Sequence, residues 1–161
     1  MLFRSAEGGT VEKFIGDAVM AAFGVPTAHE DDPGRAVRAA LAMRRALDQL
    51  NRGLQKTHGL RLDMRMGVNT GEVLAAISPR PGEPMVTGDA VNTAARLEQI
   101  AEPGQVVIAQ RTARAARRFR YRELGPKELR GKERPVPAVV LEDEASGRPE
   151  RGVPEIGRAH V

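Results

Sequence analysis

The sequence predicts an α+β sandwich, a mostly antiparallel sheet with helices packed on one side of it. Three observations carry that prediction. Short apolar or alternating segments at residues 10–16, 18–23, 62–68, 72–77 and 105–109 are bounded by Gly, Pro and Asn-Thr-Gly turn signals. Two longer stretches repeat apolar residues at helical spacing. The elements run hairpin, helix, strand pair, helix, strand, with no internal repeat.

Residues 10–16 and 18–23 flank Gly16-Asp17, a tight-turn pair, and predict a β-hairpin. Asp31, Asp32 and Pro33 then mark a helix start, with acids at the end the helix dipole favours. Ala36, Ala40, Met43, Leu47, Leu50 and Leu54 fall at gaps of four and three and predict the buried face. Gly59 is the expected stop. Strands are expected at 62–68 and 72–77, a loop at 80–82 and a short strand at 85–87. Gly88-Asp89 reads as a helix N-cap signal, with Asp89 the capping residue and residues 90–101 the helix. A strand at 105–109, a short Arg-rich helix and strands near 121–124 and 138–142 complete the chain.

At 161 residues the chain has room for one domain with a real core. No apolar run approaches the ~18 residues of a membrane span, and no signal pattern opens the sequence. With no cysteine, disulfides and thiolate metal sites are excluded, and a cytoplasmic location is expected. Residues 111–134 hold ten Arg and Lys against three Glu, a local balance of +7. Of the stacking aromatics a nucleic-acid module needs, only Phe119 and Tyr121 stand there, so the stretch reads as a solvated face.

Four segments are more specific. Residues 10–23, Thr-Val-Glu-Lys-Phe-Ile-Gly-Asp-Ala-Val-Met-Ala-Ala-Phe, resemble the metal-bearing hairpin of class III adenylate and guanylate cyclases. Residues 86–97, Val-Thr-Gly-Asp-Ala-Val-Asn-Thr-Ala-Ala-Arg-Leu, resemble that family's Asn-and-Arg helix. Gly67-Val-Asn-Thr-Gly-Glu-Val73 is similar to the strand before it, and Leu129-Arg-Gly-Lys132 to its C-terminal basic turn. The resemblance runs from about Gly8 to Glu142 in the family's order. It implies a ferredoxin-like cyclase sandwich whose first strand and helices are missing here. It also implies a phosphorus–oxygen lyase that turns ATP into 3′,5′-cyclic AMP and pyrophosphate, with two Mg2+ or Mn2+ ions and a site shared across a homodimer.

Carried onto this chain, the resemblance gives Asp17 the role of a metal ligand, since hard cations take carboxylate oxygen. By residue type alone, Asp17 is a turn former. Asn92 and Arg96, four apart on one helix face, would orient the ribose and stabilise the pentavalent phosphorus; an ordinary solvated face is the bland reading. Lys13 would read the purine edge, sharing a strand and face with Asp17, and is otherwise a surface lysine. Arg130 and Lys132 would hold the polyphosphate or simply form a solvated turn.

Two departures qualify the match. The family's adenylate cyclases commonly carry Asp or Thr three residues before the glycine that matches Gly88, and this chain has Met85. A thioether packs against a purine but is a poor partner for its amine, so loose ATP-versus-GTP discrimination is expected. The family's other metal aspartate lies on a strand ahead of the hairpin. Here that region offers Glu7, and the next strand Glu12, neither in a recognisable metal motif. The expected organisation is a partial cyclase domain at 1–144, a linker at 145–154 and, at 155–161, a stretch similar to a translated sequencing adapter. The expectation is a gene fragment, inactive alone, from a larger regulator with a downstream ATPase-like region. A non-catalytic nucleotide-binding module and a nucleic-acid-binding α+β domain are the competing readings.

Overall fold

The computed structural model describes residues 7–77 and 84–145. The expected loop at 80–82, the linker from residue 146 and the terminal adapter-like stretch lie outside the described residues. The described elements are β1 (Thr10–Ile15), β2 (Ala18–Ala22), α1 (Asp32–His58), β3 (Met66–Val68), β4 (Leu74–Ile77) and β5 (Pro84–Thr87). They continue as α2 (Asp89–Ile100), β6 (Val106–Ala109), α3 (Gln110–Ala115), β7 (Phe119–Lys127) and β8 (Val136–Glu144).

A four-stranded sheet in the order β3-β6-β8-β7 forms the centre. Its β3–β6 pair is parallel and its other two pairs are antiparallel. Antiparallel ribbons β1–β2 and β4–β5 stand beside it, with β1 running against β5. The α+β class and the mostly antiparallel pairing agree with the sequence.

The expectation of helices on one side does not hold, because helices cover both faces of the central sheet. On one face Val37, Ala40 and Leu41 of α1 and Ala113 of α3 pack on Val106, Ile108, Val139 and Leu141. On the other, Leu97 of α2 and Ala101 at its C-cap pack on Val107, Ala109, Ala138 and Val140. The cause is β6 itself: Val-Val-Ile-Ala has no polar residue to turn toward water, so both of its faces are buried.

The buried face of α1 is also rotated from the expected one. Of the six apolar residues in the predicted stripe, Ala40 is buried whereas Leu50 is 53% exposed. The inward stripe is Val37, Leu41, Arg44 and Asn51, offset by one residue or about 100°. Two polar side chains set that rotation. Arg44 Nη1 donates to the Leu141 carbonyl at 2.7 Å, and its Nη2 donates to the Glu142 carbonyl. Asn51, buried, gives Nδ2 to the Leu62 carbonyl and receives the Leu62 N–H on Oδ1, both at 2.8 Å. That clasp replaces a sheet ladder, so β3 starts at Met66 rather than at residue 62.

Helix α1 begins and ends as expected. Asp32 carries the first-turn charge, accepting from the His29 N–H at 2.6 Å and from Arg35 Nη1 at 2.7 Å. Gly59, at φ 63°, closes the helix with its N–H on the Gln55 carbonyl. No helix among the described residues is long and apolar enough to cross a membrane.

Candidate functional site

The hairpin positions Asp17. Ile15 pairs with Ala18, leaving Gly16 and Asp17 as a two-residue turn. Gly16 has φ 62° and no other residue of the turn is left-handed, the pattern of a type II′ turn. Asp17 is exposed and its carboxylate has no side-chain partner among the described residues. It sits in the turn rather than on β1, so period-two alternation does not give it a shared strand face with Lys13. Lys13 pairs with Met20 and Met85 with Ala76; their side chains lie outside the described ones.

A two-ion centre needs several oxygen ligands held together. Among the described residues no group of three or more His, Asp or Glu side chains gathers, and Asp17 offers a single carboxylate. The described residues therefore do not by themselves fit such a centre. Glu7, the acid nearest the chain start, is engaged elsewhere: its Oε2 accepts from Arg38 Nε at 2.8 Å. That hydrogen bond raises the Arg38 pKa above its ordinary value.

Helix α2 positions Asn92 and Arg96. Its inward face is Ala90, Thr93 and Leu97, all buried, continued by Ala101 at the C-cap. It lies so close to β3 that a Cβ on Gly67 would stand 2.1 Å from the Ala94 carbonyl oxygen and 2.5 Å from the Glu98 nitrogen. With the helix so fixed, Asn92 points to solvent and Arg96, one turn on, is half-buried. Arg96 Nη1 donates to Gln99 Oε1 at 2.8 Å, and Asn92 keeps its side chain free of described partners.

Asp89 is not the cap of this helix. Gly88 occupies that position, at φ 140°, with no side-chain cap hydrogen bond. Gly88 has no side chain to cap with, and the Asp89 carboxylate is instead drawn to Lys132 Nζ. The lysine comes from the β7–β8 connection. Leu129, 4% exposed, plugs that turn into the same core cluster as Leu97. Gly131, at φ 80°, reverses the chain, and the Lys132 N–H closes on the Leu129 carbonyl at 3.0 Å. Arg130 is exposed.

Of the predicted site residues, the fold thus brings Asn92, Arg96 and, through Asp89, Lys132 to one helix. Asp17 stands apart on the β1–β2 ribbon. Sequence reasoning missed Asn69 within the 67–73 motif. Its Oδ1 accepts from Arg111 Nε at 3.2 Å and Nη2 at 3.1 Å, while its Nδ2 donates to the Ala90 carbonyl at 3.0 Å. One amide thereby ties β3, α2 and α3 together. Within the basic stretch Arg111 is consequently a structural residue. Phe119 is buried and packs by Tyr121, ring centroids 6.5 Å apart, so neither ring forms an open stacking platform.

The family model described as "Adenylate and Guanylate cyclase catalytic domain" matches residues 4–142. The chain is 37% identical over 116 residues to "Adenylate cyclase, terminal-differentiation specific" of Dictyostelium discoideum, covering 67% of this chain and 5% of that protein. It is 32% identical over 147 residues to "Guanylate cyclase soluble subunit beta-2" of Rattus norvegicus, covering 84% of this chain and 21% of that protein. The chain therefore spans a small part of these curated relatives. Among solved structures, the adenylyl cyclase CyaB from P. aeruginosa superposes with a TM-score of 0.80 at 29% identity, covering 90% of this chain and 77% of that one.

Proposed function

Because the chain belongs to the adenylate and guanylate cyclase catalytic-domain family, we propose that it contributes the Asn-and-Arg half of a nucleotide cyclase site. The reaction is conversion of ATP to 3′,5′-cyclic AMP and pyrophosphate. The ribose 3′-oxygen bonds to the α-phosphorus, the bond to the β,γ-pyrophosphate breaks, and the hydroxyl proton leaves to solvent. Such transfer depends on positioning and on neutralising the charge that builds on phosphate oxygens.

The observation that carries this reading is the gathering of Asn92, Arg96 and Lys132 at one helix. The Asn92 amide has donors and an acceptor for ribose hydroxyls. The Arg96 guanidinium offers a planar fork suited to two oxygens of the transferring phosphoryl group. Lys132, with Arg130 beside it, supplies positive charge for the leaving pyrophosphate. Lys13 reads the purine edge, and Met85 leaves ATP and GTP weakly distinguished. Mg2+ or Mn2+ would supply charge neutralisation when bound. Asp17 offers one ligand, and the remaining ligands come from outside the described residues. A homodimer reconciles the separation of Asp17 from Asn92 and Arg96, each half coming from a different protomer.

The test is complementation. Alone, the chain should make no cyclic nucleotide. A related cyclase domain with intact metal carboxylates, but stripped of its own Asn and Arg, should regain turnover when mixed with this chain. Mixing with the Arg96→Ala variant should leave it silent. Equal rescue by wild type and Arg96→Ala defeats the proposal. Met85 favours a second reading, a non-catalytic nucleotide-binding module, which predicts nucleotide binding without turnover in every such mixture.

A further inference from the structure

We infer that Asp89 is an internal counter-ion which occupies Lys132 until a polyphosphate displaces it, and that it thereby sets the site's affinity for nucleoside triphosphate. The inference rests on the proposed assignment of Lys132 to the polyphosphate.

The two members of the pair are unequally held. The Lys132 side chain is 19% exposed and that of Asp89 is 76% exposed. The lysine stem is packed, and its turn is pinned by Leu129 in the core and by the reversal at Gly131. The ammonium therefore cannot follow a ligand outward. The carboxylate, on a short exposed side chain, is free to swing into water. A ligand must come to the lysine, and the carboxylate must yield.

Asp89 carries a first-turn charge but does not cap the helix. The cap position is filled by Gly88, and among the described residues the carboxylate's side-chain partner is Lys132. Asn92 and Arg96 lie three and seven residues further along the same helix. A phosphate on Lys132 would thus stand at the end of their face and meet the Asp89 charge directly. Like charges in contact disfavour binding, so the carboxylate is a built-in competitor for the ammonium.

Pyrophosphate is the probe, titrated into the full chain by calorimetry at one fixed low ionic strength. Asp89→Asn should tighten binding about five-fold, the size of one like-charge contact near ~4 Å in a water-like dielectric. Asp89→Glu keeps the charge and should bind as wild type, a rescue that a merely structural role does not predict. Lys132→Ala should weaken binding, and in the Asp89→Asn background it should erase the gain. Urea unfolding of Asp89→Asn should stay within about 1 kcal/mol of wild type, because an exposed ion pair and a first-turn charge each contribute little to stability. Unchanged or weaker binding by Asp89→Asn, with Lys132→Ala impaired, overturns this inference and leaves the proposed function standing. Unimpaired binding by Lys132→Ala removes the polyphosphate assignment and the inference with it. Absence of binding in both wild type and Asp89→Asn also overturns it.

Discussion

Replacing Gly67 by alanine probes how tightly the site helix is seated. The added Cβ would lie 2.1 Å from the Ala94 oxygen and 2.5 Å from the Glu98 nitrogen, both backbone atoms of α2. A carbon and a carbonyl oxygen approach comfortably to about 3.3 Å, so helix and strand must part by roughly 1 Å. Forcing a methyl into packed structure costs about 1–3 kcal/mol. A gap of that size also forfeits a quarter to a half of the dispersion well for atoms along the seam. Ala94 and Glu98 lie on that seam, and the loss there adds about 0.5–1.5 kcal/mol. Restricting the unfolded chain returns about 0.5–1 kcal/mol, for a net destabilisation of about 1–3.5 kcal/mol. Urea unfolding followed by far-UV circular dichroism should register a midpoint lower by roughly 0.5–2 M. The control is Gly53→Ala in α1, where a Cβ meets nothing within 4 Å. It should stabilise by about 0.5–1 kcal/mol. A Gly67→Ala protein within about 0.5 kcal/mol of wild type would refute the close seating of α2 on β3.

Tyr121 is the sequence's single tyrosine, and burial pushes its pKa up to about 12, so alkaline absorbance titration reads one site. Because the folded value is raised, stability is intact below the unfolded value near ~10 and falls as pH climbs toward the folded one. An absorbance midpoint near ~10 in the folded protein would contradict this. Asn51→Ala removes both hydrogen bonds to Leu62 and should cost about 1–3 kcal/mol, with faster amide exchange at Leu62; unchanged exchange there would rule out the clasp. The Asp143 carboxyl is held below the usual carboxylate range by the Glu144 N–H and by Arg45. Its contribution is present above the unfolded pKa and lost as pH falls through the folded one, so Asp143→Asn should flatten the acid limb of the stability curve. An acid limb identical to wild type would show that the carboxyl is not so held.

What the sequence revealed was local. Gly16-Asp17, Gly59 and the spacing along residues 90–101 encode turn, stop and helix within a few residues of themselves, and the fold contains all three. The rotation of α1 was hidden because it depends on Arg44 finding a carbonyl 97 residues away. Hydropathy assigns an arginine outward, whereas two backbone carbonyls of β8 accept from this one. Asp89 misled for a related reason: at the start of a helix its side chain reads as a cap, and only the return of the chain at Lys132 gives it another partner. The second buried face was legible in principle, since four consecutive apolar residues at 106–109 leave no face of β6 for water.

The near-contact of Gly67 with α2 leaves no compliant layer between that helix and the central sheet, so Asn92 and Arg96 ride on a rigid frame. Asp17, by contrast, is carried by a ribbon of two strands, a unit with little independent stability in water. The carboxylate and the arginine thus belong to bodies of unequal stiffness. Amide hydrogens should exchange far sooner around the hairpin tip than along β6, and under the proposed function the softer arm is the one that adapts to the other.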